Sequence, residues 1–171
     1  MTVLIAGVGN IFLGDDGFGV EVARRLSEKD LPAWVQVADY GIRGMHLAYD
    51  LAGAGHELTI MIDATSRGDP PGTVCVIELD RPEAPAAGVL DAHGMQPDVV
   101  LGLVDLLGAD TGRVLLVGCE PAALDHRMGL SPAVERAVDT AVTAVLELLA
   151  APEFGNRKDR VAPCASVFRE K

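Results

Sequence analysis

The sequence lacks any apolar stretch approaching the roughly 20 uncharged residues of a membrane-spanning helix, so no such span is expected. Cysteine is sparse. Cys75, Cys119 and Cys164 are odd in number, widely separated and form no CxxC pair, which argues against a disulfide framework or a structural zinc site. Basic residues are also few: 14 Lys and Arg stand against 25 Asp and Glu, for a net charge of −11. Duplex binding depends on neutralising phosphates with Lys and Arg, so a nucleic-acid partner is not expected. Residues Thr2–Ala6 enter a strand-like run with no basic n-region and no small-residue cleavage site, so no signal peptide is expected. Together with the scattered thiols, this points to a reducing cytoplasm. Three catalytic signatures are missing as well: Ser-His-Asp spacing, a G-x-S-x-G elbow and an H-E-x-x-H helix.

What is present is a chain of 171 residues, 49% apolar, enough for one domain with a sizeable core. Strand and helix signals alternate along it. Val3–Val8 is a continuous apolar run that ends in Gly7, Gly9 and Asn10, as a buried parallel strand entering a loop would. Gly19–Leu26 has helical spacing, Val35–Ala38 is strand-like, and Met45–Ala52 is helical with Gly55 near its C-cap. Leu58–Ile62 is the strongest strand signal and stops at Asp63, and Thr73–Leu79 is another strand. The intervening Ala64–Gly72 is too short and too rich in Gly and Pro for a crossover helix, so these two strands are expected to be antiparallel or not adjacent. Asp98–Leu107 reads as a helix and Val114–Gly118 as a buried strand. Ser131-Pro132 is an N-cap and N1 pair opening a final helix. The expected fold is an α/β three-layer sandwich around a mostly parallel, mixed, five-stranded sheet, with one domain over residues 1–150 and a loosely ordered polar tail over 151–171.

In open α/β sheets, ligands collect beyond the carboxyl ends of the strands. Asp15 and Asp16, Asp39 and Asp63 follow the first three strands and should share that rim, and His93 lies in a loop able to reach it. Two carboxylates with an imidazole make a mixed oxygen and nitrogen set suited to a transition metal. Blander roles fit the same residues. Asp15 or Asp16 could answer a helix dipole, Asp63 could form an Asx turn, and His93 could be a surface histidine. His46 falls in a helix, while His56 and His126 fall in exposed-looking turns, so none of the three is a candidate. The Gly7-Val8-Gly9-Asn10 turn also invites a dinucleotide reading, which Asp39 at the end of the second strand would suit. Against that reading, Phe12 replaces the third glycine and an acid sits where a pyrophosphate would bind.

The ordered series of motifs is more specific than any one of them. Gly7-Val8-Gly9-Asn10 with Asp15-Asp16 and Gly19 resembles the G-x-G-N-x-x-x-x-D-[DE]-x-x-G signature of the hydrogenase maturation endopeptidases. Asp39-Tyr40-Gly41-Ile42-Arg43-Gly44 resembles their D-x-G-T-x-G loop, with Ile42 in place of the usual Thr. Ile62-Asp63-Ala64, Pro71-Gly72-Thr73, His93, Gly118-Cys119-Glu120-Pro121 and Gly129-Leu130-Ser131-Pro132 continue the series, and the likeness spans about residues 2–150 in order.

The resemblance implies an endopeptidase that recognises nickel already carried by a nickel–iron hydrogenase large-subunit precursor and then removes its C-terminal extension. Asp16, Asp63 and His93 would be the metal ligands, and Asp39 would support cleavage or recognition. Nickel near the scissile bond would polarise the carbonyl or acidify a water; Asp16 or Asp39 acting as general base is the alternative. Two rival functions remain at this level. One is a non-catalytic nickel-binding assembly factor, disfavoured by the absence of His-rich tracts. The other is a nucleoside phosphorylase-like hydrolase, for which Arg43 is the sole basic candidate.

Overall fold

β1 (Val3–Val8) is buried along its whole length, as a strand covered on both faces must be, and this sets the plan of the molecule. A computed structural model of the chain describes residues 2–79 and 97–151. After a 3₁₀ turn at Gly14–Gly17, the order is α1 (Phe18–Ser27), β2 (Val35–Gly41), α2 (Gly44–Ala54) and β3 (Leu58–Ala64). Then follow β4 (Val74–Leu79), α3 (Pro97–Leu106), β5 (Arg113–Cys119) and α4 (Pro132–Ala150).

The sheet order is β2-β1-β3-β5-β4. The first four strands of that order are mutually parallel, and β4 runs antiparallel to β5. β3 and β4 are therefore not neighbours, in keeping with the short link between them. Two apolar layers complete the sandwich. Val3, Ile5, Ile60, Ile62 and Val117 pack against α1 and α4. Leu4, Ala6, Val8, Met61 and Leu116 pack against α2 and α3. The predicted three-layer α/β architecture is the one observed.

The ends of the elements follow local chemistry. Gly55 ends α2 with φ +62°, a left-handed conformation that only glycine adopts without a Cβ penalty. The Ser131 hydroxyl accepts the Val134 amide at 3.4 Å, capping α4. Asp39 and Asp63 lie inside the last turns of their strands instead of just past them. His93, Cys164 and the expected tail fall outside the described residues.

Candidate active site

The loop after β1 is held by backbone-to-backbone approach that leaves no room for side chains. A Cβ on Gly7 would sit 2.4 Å from the Gly19 carbonyl, and one on Gly9 would sit 1.8 Å from the Asp16 carbonyl. A Cβ on Gly19 would come within 2.1 Å of the Ile62 carbonyl and 2.3 Å of the Val8 carbonyl. These three glycines let the start of α1 settle directly onto the ends of β1 and β3, which brings Asp16 beside Asp63.

The paired acids divide the work. Asp15 is fully buried. One of its oxygens accepts the amides of Ala122 and Ala123 at 2.8 and 3.0 Å, and the other accepts that of Ser131 at 2.6 Å. Burial alone would raise its proton affinity, but these amides outweigh it and hold the carboxyl below its ordinary value. Asp15 is thus a brace between the first loop and the loop leading into α4. The bridge between Leu13 and Arg127 and the Gly14 amide on the Arg127 carbonyl at 2.8 Å reinforce that brace. Asp16 remains half-buried and accepts the Asn10 amide at 2.7 Å.

Asp63 is 7% exposed, and its proton affinity is pushed up to about 8 by burial first and then by the charge of Asp16. Only the Ala64 amide opposes that rise. Two facing carboxylates, one dry and holding a proton, form an arrangement that a cation would relieve. Among the described residues, no three His, Cys, Asp or Glu side chains are grouped closely enough to hold a metal ion by themselves. Of the predicted ligand set, the structure brings Asp16 and Asp63 together, and His93 lies outside the described residues.

Asp39 shares the carboxyl edge but not the sheet face. It pairs through Gly7 with Ile62, whose side chain packs toward α1 and α4, whereas Asp63 alternates with Ile62 and lies on the side of Met61, α2 and α3. The exposed Asp39 carboxylate lines a separate groove of about 270 Å³ with Gly9–Phe12, Val20 and Tyr40–Arg43. The loop Gly9–Phe12 is the wall between the two sites.

Spacing alone did not connect a thiol to the rim. Asp63 pairs with Gly118 and Gly118 pairs with Cys75, so all three lie in one row on one face. A Cβ on Gly118 would meet Cys75 Sγ and Thr65 Oγ1, each at 3.2 Å. The Arg67 guanidinium donates toward the Cys75 sulfur, and its proton affinity is raised chiefly by that interaction. No sequence motif marks this row; only strand order does. His56 differs from its expected exposed turn: it is half-buried, and its Nδ1 is enclosed without a hydrogen-bond partner.

The sequence profile of the hydrogenase maturation proteases matches residues 20–148. The hydrogenase 2 maturation protease of Escherichia coli K12 is 32% identical over 151 residues, covering 87% of this chain and 91% of that protein. The solved structure of the E. coli hydrogenase maturating endopeptidase HybD superposes with a TM-score of 0.70 at 33% identity, covering 88% of this chain and 93% of its own. That of the [NiFe] hydrogenase maturation protease HybD from Thermococcus kodakarensis gives 0.65 at 29% identity, with 86% and 99% covered. No helix among the described residues is long and apolar enough to cross a membrane.

Proposed function

The chain belongs to the hydrogenase maturation protease family, a family of peptide-bond hydrolases, and from that premise we propose a specific task for it. It recognises nickel in the large-subunit precursor of a nickel–iron hydrogenase and removes the C-terminal extension, acting in the cytoplasm. The nickel belongs to the substrate. The observation that carries this reading is the Asp16–Asp63 pair, in which a dry carboxyl retains its proton beside a second carboxylate. An arriving cation would displace that proton and be held by both groups, and His93 is the third ligand in this proposal.

Once the precursor's nickel is seated, it lends Lewis acidity near the scissile carbonyl. Water supplies its oxygen to the carbonyl carbon, the C–N bond breaks, and the water's protons end on the new carboxyl and amino termini. Asp16 keeps its orientation through the Asn10 amide, and Asp39 meets the peptide from the groove side of the Gly9–Phe12 wall.

Incubating the purified chain with nickel-loaded and nickel-free precursor, followed by intact-mass measurement, tests this reading. Loss of the extension from the loaded form alone is expected. Equal cleavage of both forms would remove the case for metal recognition, and nickel binding with no mass change would favour a carrier.

A further inference from the structure

The groove beside Asp39 has a composition of its own. Ile11, Phe12 and Ile42 line it and are 42%, 60% and 65% exposed, an unusual clustering of large apolar side chains on so acidic a chain. Its floor is backbone. The Gly9 amide bonds the Gly41 carbonyl at 3.0 Å, and the next residue, Asn10, donates its amide to Asp16. The groove's Gly9–Asn10 side is therefore tied directly to Asp16, a member of the carboxylate pair on the other side of the loop.

Charge narrows what can lie there. Arg43 borders the groove, but its guanidinium is committed to the carbonyls of Asp39 and Tyr40. The Asp39 carboxylate faces the same space, so an acidic segment is disfavoured and a neutral or basic one is accepted. The volume of about 270 Å³ falls below the roughly 300 Å³ at which pockets begin to take drug-sized ligands, and suits one or two amino-acid side chains. β2, which ends in the groove, is a terminal strand of the sheet, the element along which an extended peptide runs most readily.

We infer that this groove is the subsite for the precursor's C-terminal extension, and that Ile42 with Phe12 selects a bulky apolar side chain in the extension close to the scissile bond. The inference rests on the proposed endopeptidase function and deepens it. Ile42 stands where the motif of the resembling family has Thr, so it makes the preference a property of this chain. Ile42 is a specificity residue, acting on the side chain bound and not on the reacting atoms.

The test compares Ile42→Thr with Leu106→Thr, an equally exposed apolar residue at the end of α3 that does not line the groove. Each is assayed on nickel-loaded precursor carrying its natural extension or one whose apolar residues near the cleavage point are changed to Ser. For Ile42→Thr on the natural extension, KM should rise about tenfold, with the larger part of the loss in KM and not in kcat. The Ser-substituted extension should cost the wild type a similar factor and cost Ile42→Thr little more. Leu106→Thr should behave as wild type. Unchanged KM for Ile42→Thr, in a wild type that cleaves the loaded precursor normally, would overturn the subsite and leave the protease reading intact. Should the wild type cleave nothing, anisotropy titration with a labelled synthetic copy of the extension still decides the groove. Weaker binding to Ile42→Thr than to wild type supports the subsite, and equal or absent binding to both refutes it.

Discussion

Asp16 and Asp63 are joined electrostatically: the charge on Asp16 adds to burial in keeping a proton on Asp63 to about pH 8. In the unfolded chain, Asp63 would release that proton near the ordinary 3.8. Between those limits the unfolded state binds fewer protons, so stability falls as pH rises. The metal-free protein should lose stability between about pH 4 and pH 8, by an amount on the order of a few kcal/mol. Asp63→Asn should flatten that part of the profile, and Asp16→Asn, which removes a charge that raises the Asp63 value, should end the decline at a lower pH and make it smaller. Melting temperatures measured across the range check both variants. A wild-type curve as flat as that of Asp63→Asn would refute the coupling.

Cleavage should respond to the same residue more sharply than stability does. Asp63→Asn preserves the shape of the side chain but supplies a poorer ligand. Its activity on nickel-loaded precursor should fall by more than the roughly 10–100-fold typical of losing a partner outside the ligand shell. Rates from mass spectrometry, with circular dichroism to verify folding, separate this from unfolding.

Asp15→Asn addresses the brace. The three amides that Asp15 accepts would lose a charged acceptor, and the new amide group would aim donors at donors. Destabilisation of about 2–4 kcal/mol is expected in urea titration near neutral pH. The sign with pH is opposite to that of Asp63. Because the folded chain holds Asp15 below its ordinary value, its contribution is complete above the usual carboxylate range and is lost as pH falls through the folded value. The gap between wild type and Asp15→Asn should therefore narrow in acid.

Two glycine substitutions should part company. Gly19→Ala forces a methyl to 2.1 Å from the Ile62 carbonyl, so α1 must retreat from the sheet and take Asp16 with it. A cost of about 3 kcal/mol with loss of cleavage is expected. Gly53, in α2, has nothing within 4 Å of an added Cβ, and Gly53→Ala should stabilise by about 0.5–1 kcal/mol. Paired denaturation curves decide the comparison.

Much of this was readable from local pattern. The five strands and four α-helices of the described residues fall where periodicity and the Gly, Ser and Pro signals put them, because burial on one or both faces writes itself into short windows of sequence. Tertiary pairing does not. The order β2-β1-β3-β5-β4 and the pairing of Gly7 with both Asp39 and Ile62 decide that Asp39 and Asp63 address opposite faces, and no window contains that information. Adjacent Asp15 and Asp16 looked alike because their difference lies in amides more than 100 residues away. The row Asp63–Gly118–Cys75 was hidden for the same reason, and His56 was misjudged because what encloses it is not local. Asp63 was legible from its strand-end position, whereas the reading of His93 comes from the family likeness.

The Asp15–Ser131 bond spans 116 residues, which gives the brace a meaning during synthesis. Chains emerge N-terminal end first, at about 5–20 residues per second. The segment bearing Asp16 and Asp63 is therefore exposed for some seconds before Ser131 exists to fix the loop beside them. Over that interval the nascent chain has its acidic residues but not their final arrangement. The loop that carries Asp16 thus reaches its braced arrangement only after the segment bearing Ser131 has been made and docked, so the site is completed late in synthesis.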